Sequence, residues 1–165
     1  QIVHRLFDEQ LCALCSPAYA NGPPQRKDLE DLADANLLRW DLSQFEWSAN
    51  TRTWNFWKTW LSAVGASHVL PASGIKFSDY NLAVQAAIAG QGFVIGSRPV
   101  LNSLIQSGLL VDPFSKTVNP GIGYDVVTSR SSVDRDDVQR FIEWIVDQAA
   151  EAGGKTAQAP DQALP

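Results

Sequence analysis

Apolar residues recur at helical spacing in three segments of the chain, around residues 54–64, 78–89 and 132–149. Side chains three or four positions apart share one face of an α-helix, so each segment predicts an amphipathic helix. Ser132 is the expected N-cap of the last one, because a serine hydroxyl accepts hydrogen bonds from the first free backbone N–H groups. Its predicted core stripe consists of Val138, Phe141, Ile142, Ile145, Val146 and Ala149.

Short apolar runs between these helices predict strands. Residues 2–15 read as one strand or two, and further strands are expected at 37–40, 75–77, 93–96, 109–111 and 122–128. A short helix is expected at 27–32, and another from Ser97, as N-cap, to Gly108. Strands that alternate with helices predict an α/β fold with a mostly parallel or mixed sheet, in which ligands bind at the carboxyl ends of the strands.

Composition narrows the class of protein. The chain has 165 residues, 45% of them apolar, and its 13 basic and 18 acidic residues give a net charge of −5. The basic residues are scattered, which argues against direct binding of nucleic acid. No apolar run approaches the roughly 20 residues that span a bilayer, and the first residues lack a signal-peptide pattern, so a cytoplasmic location is expected. The Ala, Gln and Pro content of residues 151–165 predicts a disordered tail.

Candidate catalytic and metal-binding residues are few. Cys12 and Cys15 are spaced as C-x-x-C, but they lie in an apolar run without a second pair of ligands, which favours buried thiols over a redox or zinc site. His4 and His68 stand apart from other catalytic residue types. We therefore expect no enzyme activity, no metal and no cofactor. Five of the six tryptophans lie between residues 40 and 60, where core packing is favoured over ligand stacking.

The segment from Lys76 to Gly96 is the most informative part of the sequence. Ser78 is placed to cap the helix that follows a strand, which would leave backbone N–H groups facing a ligand. The helix has two apolar faces, so it is either buried on both or packs one against a partner. One face consists of Tyr80, Ala83, Val84, Ala87 and Ile88, and the second of Leu82, Ala86 and Ala89.

Several motifs, in consistent order over residues 5–150, closely resemble the effector-binding domain of LysR-type transcriptional regulators. The similarity is strongest to the branch of the glycine-cleavage activator and the β-lactamase regulator. The motifs are Phe77-Ser78-Asp79, Leu82 through Gly96 followed by Arg98-Pro99, Leu6-Phe7-Asp8-Glu9, Leu14 through Tyr19, Leu109 through Phe114, and Tyr124-Asp125-Val126-Val127.

This resemblance implies a periplasmic-binding-protein-like fold (type II) of two α/β lobes, with a small-molecule effector of unknown identity in the cleft between them. It also implies homo-oligomers and an N-terminal winged helix-turn-helix that binds DNA. By order of motifs, residues 16–119 form a complete second lobe, and residues 1–15 and 120–150 part of a first lobe. The DNA-binding domain and the rest of the first lobe are absent from the sequence.

The resemblance assigns ligand contacts to Ser78 and Tyr124. Each residue has an ordinary structural alternative, a plain N-cap for Ser78 and a core aromatic for Tyr124. Asp79, in the first turn of the helix, would repel an anionic effector unless it faces away, and it would suit a ligand with an amine. Ser16 and Pro17 fall at the inferred crossover between lobes, where hinge residues are expected.

The second apolar face of the same helix predicts self-association. Leu82, Ala86 and Ala89 form this predicted interface, together with Phe93 on the next strand. The leading hypothesis is thus a non-catalytic sensor domain of a transcription regulator. The alternative is a solute-binding protein of a transporter, which shares the fold. A third interpretation is a fragment of a hydrolase or transferase.

Overall fold

The computed structural model describes residues 2–41, 57–71 and 73–152, and the chain forms two compact units. The larger unit runs from residue 9 to residue 120, and the smaller one combines residues 1–8 with the chain from residue 121 onward. Residues 9–15, which the sequence analysis placed in the first lobe, pack in the larger unit. The reason is pairing, because Leu11–Leu14 form a strand that hydrogen-bonds inside the sheet of that unit.

Four strands form the sheet of the larger unit: β2 (Leu11–Leu14), β3 (Asn36–Trp40), β4 (Ser73–Phe77) and β5 (Phe93–Ser97), in the order β2-β5-β3-β4. β3 runs parallel to β4 and β5, and β2 runs antiparallel to β5. This confirms the predicted mixed sheet.

Both faces of this sheet are buried. Leu37 and Leu38 are consecutive on β3 and are 0% and 1% exposed, each belonging to a different core cluster. Phe93 and Ile95 of β5 join the cluster of Leu37, and Val94 joins that of Leu38. Because successive side chains of a strand point to opposite faces, a continuous apolar run is what a sheet covered on both sides requires.

The helices of the larger unit cover these two faces. They are α1 (Pro17–Asn21), a 3₁₀-helix (Leu29–Asp34), α2 (Trp57–Ala63), α3 (Tyr80–Ile88) and α4 (Asn102–Gln106). α2 contributes Trp57 and Trp60, 6% and 1% exposed, which confirms core packing for these two indoles. The predicted positions 54–56 of this helix, together with Trp47, lie outside the described residues.

The structure differs from the predicted elements at Ser97 and at residues 109–111. Ser97 is the last residue of β5 and does not cap a helix; its carbonyl accepts a hydrogen bond from Leu101 N at 2.9 Å in a turn, and α4 begins later, at Asn102. The strand expected at 109–111 is reduced to an isolated bridge between Val111 and Cys15.

The smaller unit consists of β1 (Ile2–Asp8), β6 (Gly123–Thr128) and α5 (Asp136–Ala152). β1 and β6 pair antiparallel, with Val3 opposite Val127, and α5 packs against β1. Within the predicted stripe of α5, Ile142 is buried and Phe141 is 52% exposed. Successive helical residues point about 100° apart, so Phe141 turns away from the core when Ile142 faces it.

The ends of α5 also differ from expectation. Ser132 lies in a turn with its N–H bonded to Ser129 O, so it does not cap the helix that begins at Asp136. At the other end, residues 151–152 of the predicted disordered tail belong to α5, and residues 153–165 lie outside the described residues.

Candidate functional site

The carboxyl ends of three parallel strands meet at one edge of the larger sheet. β3, β4 and β5 end there at Trp40, Phe77 and Ser97, and Ser78 and Asp79 follow β4 directly. Both Ser78 and Asp79 are exposed. Ligands of open α/β sheets bind outside this edge, so the structure places two predicted site residues where binding is expected.

Asp79, and not Ser78, caps α3. Its carboxylate accepts hydrogen bonds from Asn81 N at 2.7 Å and Leu82 N at 3.3 Å, and the helix begins at Tyr80. The prediction that Ser78 is the N-cap was therefore wrong by one residue, since serine and aspartate have equal capping ability and only the backbone geometry decides between them. As a result, a built-in carboxylate already occupies two of the N–H groups that were expected to face a ligand.

Tyr124 lies in the smaller unit, near the start of β6. Its ring centroid is 4.9 Å from that of Phe7, its neighbour across the strand pair, and the residue is 44% exposed. This exposure is too large for a core aromatic, so the side chain belongs to the surface of its unit.

Ser16 is the N-cap of α1 and Pro17 is its first residue, within the larger unit. Ser16 is 5% exposed, its hydroxyl accepts a hydrogen bond from Tyr19 N at 3.2 Å, and its own N–H donates to Ala87 O at 3.1 Å. The chain passes between the units at residues 8–9 and again at 120–121, and neither passage coincides with the hinge predicted at Ser16 and Pro17. Since Ala87 is near the carboxyl end of the nine-residue α3, Ser16 lies about 13 Å along the helix from the Ser78 end.

The predicted interface residues separate into exposed and buried ones. Leu82 is 55% exposed and Ala89 is exposed, but Ala86 is 7% exposed and packs in the core cluster of α3. Phe93 is fully buried on the internal strand β5, with its ring 5.4 Å from Tyr19 and 5.2 Å from Phe114. A residue on a central strand offers no surface to a partner, so the assignment of Phe93 to an interface was wrong.

An ion pair missed by the sequence analysis holds the carboxyl end of β5. Arg98 donates to Asp112 at 2.7 Å, and Asp112 also accepts from Ser115 N at 3.0 Å. The side chain of Asp112 is only 5% exposed, and burial raises its pKa above the ordinary value, although the nearby Arg98 charge opposes the shift. No sequence signal joins residues 98 and 112, whose contact depends on the fold.

Cys12 and Cys15 are free thiols buried in the larger unit. Burial raises the pKa of each thiol to about 12, so both are neutral at physiological pH. In the part of the chain that the structure describes, no group of three or more His, Cys, Asp or Glu side chains is placed to hold a metal ion. Among the same residues, no helix has the length and apolar character needed to cross a membrane.

Comparison with known proteins adds a consistent set of relatives. Residues 2–150 match the family described as the LysR substrate binding domain. The glycine cleavage system transcriptional activator of Escherichia coli K12 is 31% identical over 148 residues, covering 90% of this chain and 45% of that protein. The chain thus spans about half the length of the curated relatives that it matches.

Solved structures show the same fold. The AmpR effector binding domain from Citrobacter freundii superposes with a TM-score of 0.68 at 21% identity, covering 91% of this chain and 68% of that one. The effector domain of AmpR from Pseudomonas aeruginosa gives a TM-score of 0.68 at 24% identity, covering 92% and 68%. These likenesses confirm the predicted α/β fold of the periplasmic-binding-protein-like type.

Proposed function

The chain belongs to the LysR substrate-binding domain family, and from that premise we propose that it senses a small-molecule effector for a DNA-binding regulator of transcription. The family match over residues 2–150 carries the proposal. Relatives named as transcriptional regulators support it, including an HTH-type regulator of Escherichia coli that is 28% identical over 145 residues. These relatives are regulators and not transporter proteins, which removes the support for a solute-binding role.

The proposed output is a change of conformational population. An effector that binds one arrangement of the domain more tightly shifts the protein toward that arrangement, and the coupling alters how a helix-turn-helix elsewhere in the protein holds DNA. This role requires binding without catalysis and places the regulator in the cytoplasm with its DNA.

We assign effector contact to Ser78 and Tyr124, two exposed hydroxyl-bearing residues, one in each unit. Asp79 beside Ser78 places a carboxylate at the amino end of α3. A ligand group with a proton to donate, such as an amine or hydroxyl, suits that position better than a carboxylate, because like charges repel. Ser16 and Pro17 have no part in this assignment, since they lie at the far end of α3.

Coding sequence upstream of Gln1 provides the first test. The proposal expects an in-frame helix-turn-helix there, and its lack would remove the link to DNA. The second test is a thermal-shift screen of amino acids, nucleobases and cell-wall peptides on the full-length regulator. A ligand at 100 times its Kd adds about 2.7 kcal/mol of stability, which raises the Tm of a domain of about 150–250 residues by roughly 5–10 °C.

A matched pair of serine variants then locates the ligand. Ser78→Ala should abolish most of the thermal shift, whereas Ser103→Ala, an exposed serine on α4, should retain it. Equal shifts in both variants would contradict the role of Ser78.

We also propose self-association through the exposed part of α3, Leu82 with Ala89. Sedimentation should show a loss of dimer in Leu82→Glu and no loss in Leu109→Glu, a control leucine that is 46% exposed. A dimer that survives Leu82→Glu would place the interface elsewhere.

A further inference from the structure

The larger unit contains a cavity of about 690 Å³ that no predicted site residue lines. Its buried lining residues belong to the core cluster on the α2 side of the sheet. Trp40, whose ring centroid lies 5.6 Å from that of Tyr80 at the start of α3, lines it as well. The volume is in the range of cavities that hold small organic ligands. Its walls include Arg39, Trp40, Trp57, Lys58, Thr59, Leu61, Ser62, Ser67, Val69, Leu70 and Pro71.

The floor of this cavity is apolar and firmly held. Trp57, Leu61 and Val69 are 6%, 3% and 6% exposed and belong to one core cluster. The indole N–H of Trp57 donates to the carbonyl of Leu38 at 3.3 Å, which ties the first residue of α2 to β3. A wall fixed in this way needs little reorganisation when a ligand enters.

The rim of the cavity is positively charged. Arg39 and Lys58 are both exposed, and none of the ion pairs among the described residues involves either side chain.

Gly74 makes room for one of these cations. A Cβ at Gly74 would come within 3.0 Å of Arg39 Nε, so the arginine side chain lies across the backbone of β4 at this glycine. The guanidinium is thereby held beside the cavity, where a planar fork of N–H donors matches a carboxylate.

We propose that this cavity binds an amphipathic organic anion, with an aromatic ring on the apolar floor and a carboxylate paired with Arg39 and Lys58. The hydroxyls of Ser62 and Ser67 line the same space and supply further hydrogen-bonding groups. The cavity and Ser78 share the edge of the sheet at which β3 and β4 end, since Trp40 lines the cavity and pairs with Phe77. Neither Ser78 nor Asp79 lines the cavity, so the proposed ligand has contacts of its own.

Two matched probes test the proposal on the complete chain: 1-naphthoate, and 1-naphthylmethanol, which has the same rings without the charge. NMR titration should shift backbone signals of residues 39 and 57–70. In the variant Arg39→Gln/Lys58→Gln, the Kd for 1-naphthoate should rise about tenfold or more, as expected for the loss of charge-assisted hydrogen bonds. The Kd for 1-naphthylmethanol should stay unchanged.

Lys116→Gln serves as the control, because Lys116 is exposed and outside the cavity. It should bind both probes as the unaltered chain does, and equal melting temperatures of all variants show that the fold is intact. The proposal is overturned if the double variant binds 1-naphthoate as tightly as the control does. It is also overturned if the unaltered chain binds 1-naphthylmethanol as tightly as 1-naphthoate, or if the shifted NMR signals belong to residues of the smaller unit.

Discussion

The two units of this chain differ in how completely they cover their sheets. In the larger unit, helices cover both faces of a four-stranded sheet, and β5 is fully buried along its length. In the smaller unit, α5 covers one face of a two-stranded sheet, and apolar side chains on β1, β6 and α5 remain exposed. They are Val3, Val127, Phe141 and Trp144, each 52% to 58% exposed. Because the larger unit buries more apolar surface, we expect it to contribute most of the free energy of folding.

A tryptophan deletion in each unit gives the largest expected contrast. Trp60 is 1% exposed and donates its indole N–H to Leu11 O at 3.2 Å, so Trp60→Ala should lower the free energy of unfolding by about 3–5 kcal/mol. Trp144 is 56% exposed, and Trp144→Ala should cost no more than about 0.5 kcal/mol. Urea denaturation measures both, and losses of similar size would contradict the comparison.

An ion pair in each unit gives the next contrast. Arg98→Gln leaves the buried carboxylate of Asp112 without its cation and should cost about 1–3 kcal/mol at pH 7. Arg5 donates to Asp125 at 2.5 Å, but the two side chains are 47% and 30% exposed, so Arg5→Gln should cost about 1 kcal/mol or less.

The same pair predicts a pH dependence. Because the pKa of Asp112 is raised in the folded chain, the folded state binds this proton more tightly than the unfolded state does. The stability from this group is complete below its unfolded-state pKa and is lost as the pH rises through the folded value. Asp112→Asn should remove this acid-range dependence, and the cost of Arg98→Gln should shrink toward pH 3. Denaturation curves from pH 3 to 7 that are parallel for all three proteins would contradict this.

Helix capping gives a smaller contrast. Asp79→Ala removes the acceptor of two backbone hydrogen bonds in the larger unit and should cost about 1 kcal/mol. Ser132→Ala in the smaller unit alters a turn ahead of α5 and should cost only a few tenths of a kcal/mol. Thermal denaturation checks both, and a larger loss for Ser132→Ala would show that this serine stabilises α5.

A small effect on stability is also expected on the exposed face of α5. The rings of Phe141 and Trp144 pack in a tilted arrangement, with centroids 5.8 Å apart. Phe141→Ser/Trp144→Ser should change stability by about 1 kcal/mol or less, because both residues are already half exposed. The fluorescence of an apolar dye bound to the surface should nevertheless fall, and unchanged fluorescence would show that the dye binds another surface.

Sequence patterns predicted the positions of helices and strands better than the contacts that those helices and strands make in the fold. Apolar runs located β3 and β5, and helical spacing located α3, because these signals are local along the chain. The internal position of Phe93 could not be predicted, since strand order depends on pairings between distant segments. The choice between Ser78 and Asp79 as N-cap also failed, because both residue types suit the position. The Arg39 cavity has no sequence signature, as it arises where β3, α2 and the chain before β4 converge.

The two buried cysteines can serve as natural probes of local unfolding on the two sides of the sheet. Cys12 packs in the core on the α3 side of the sheet and Cys15 in the core on the α2 side, and both are 0% exposed. Alkylating reagents modify a thiolate only after it reaches solvent, so the modification rate at each position reports the opening of one face. Mass spectrometry of the labelled peptides can thus measure the opening of the α3 side and the α2 side of the sheet separately, without any engineered probe.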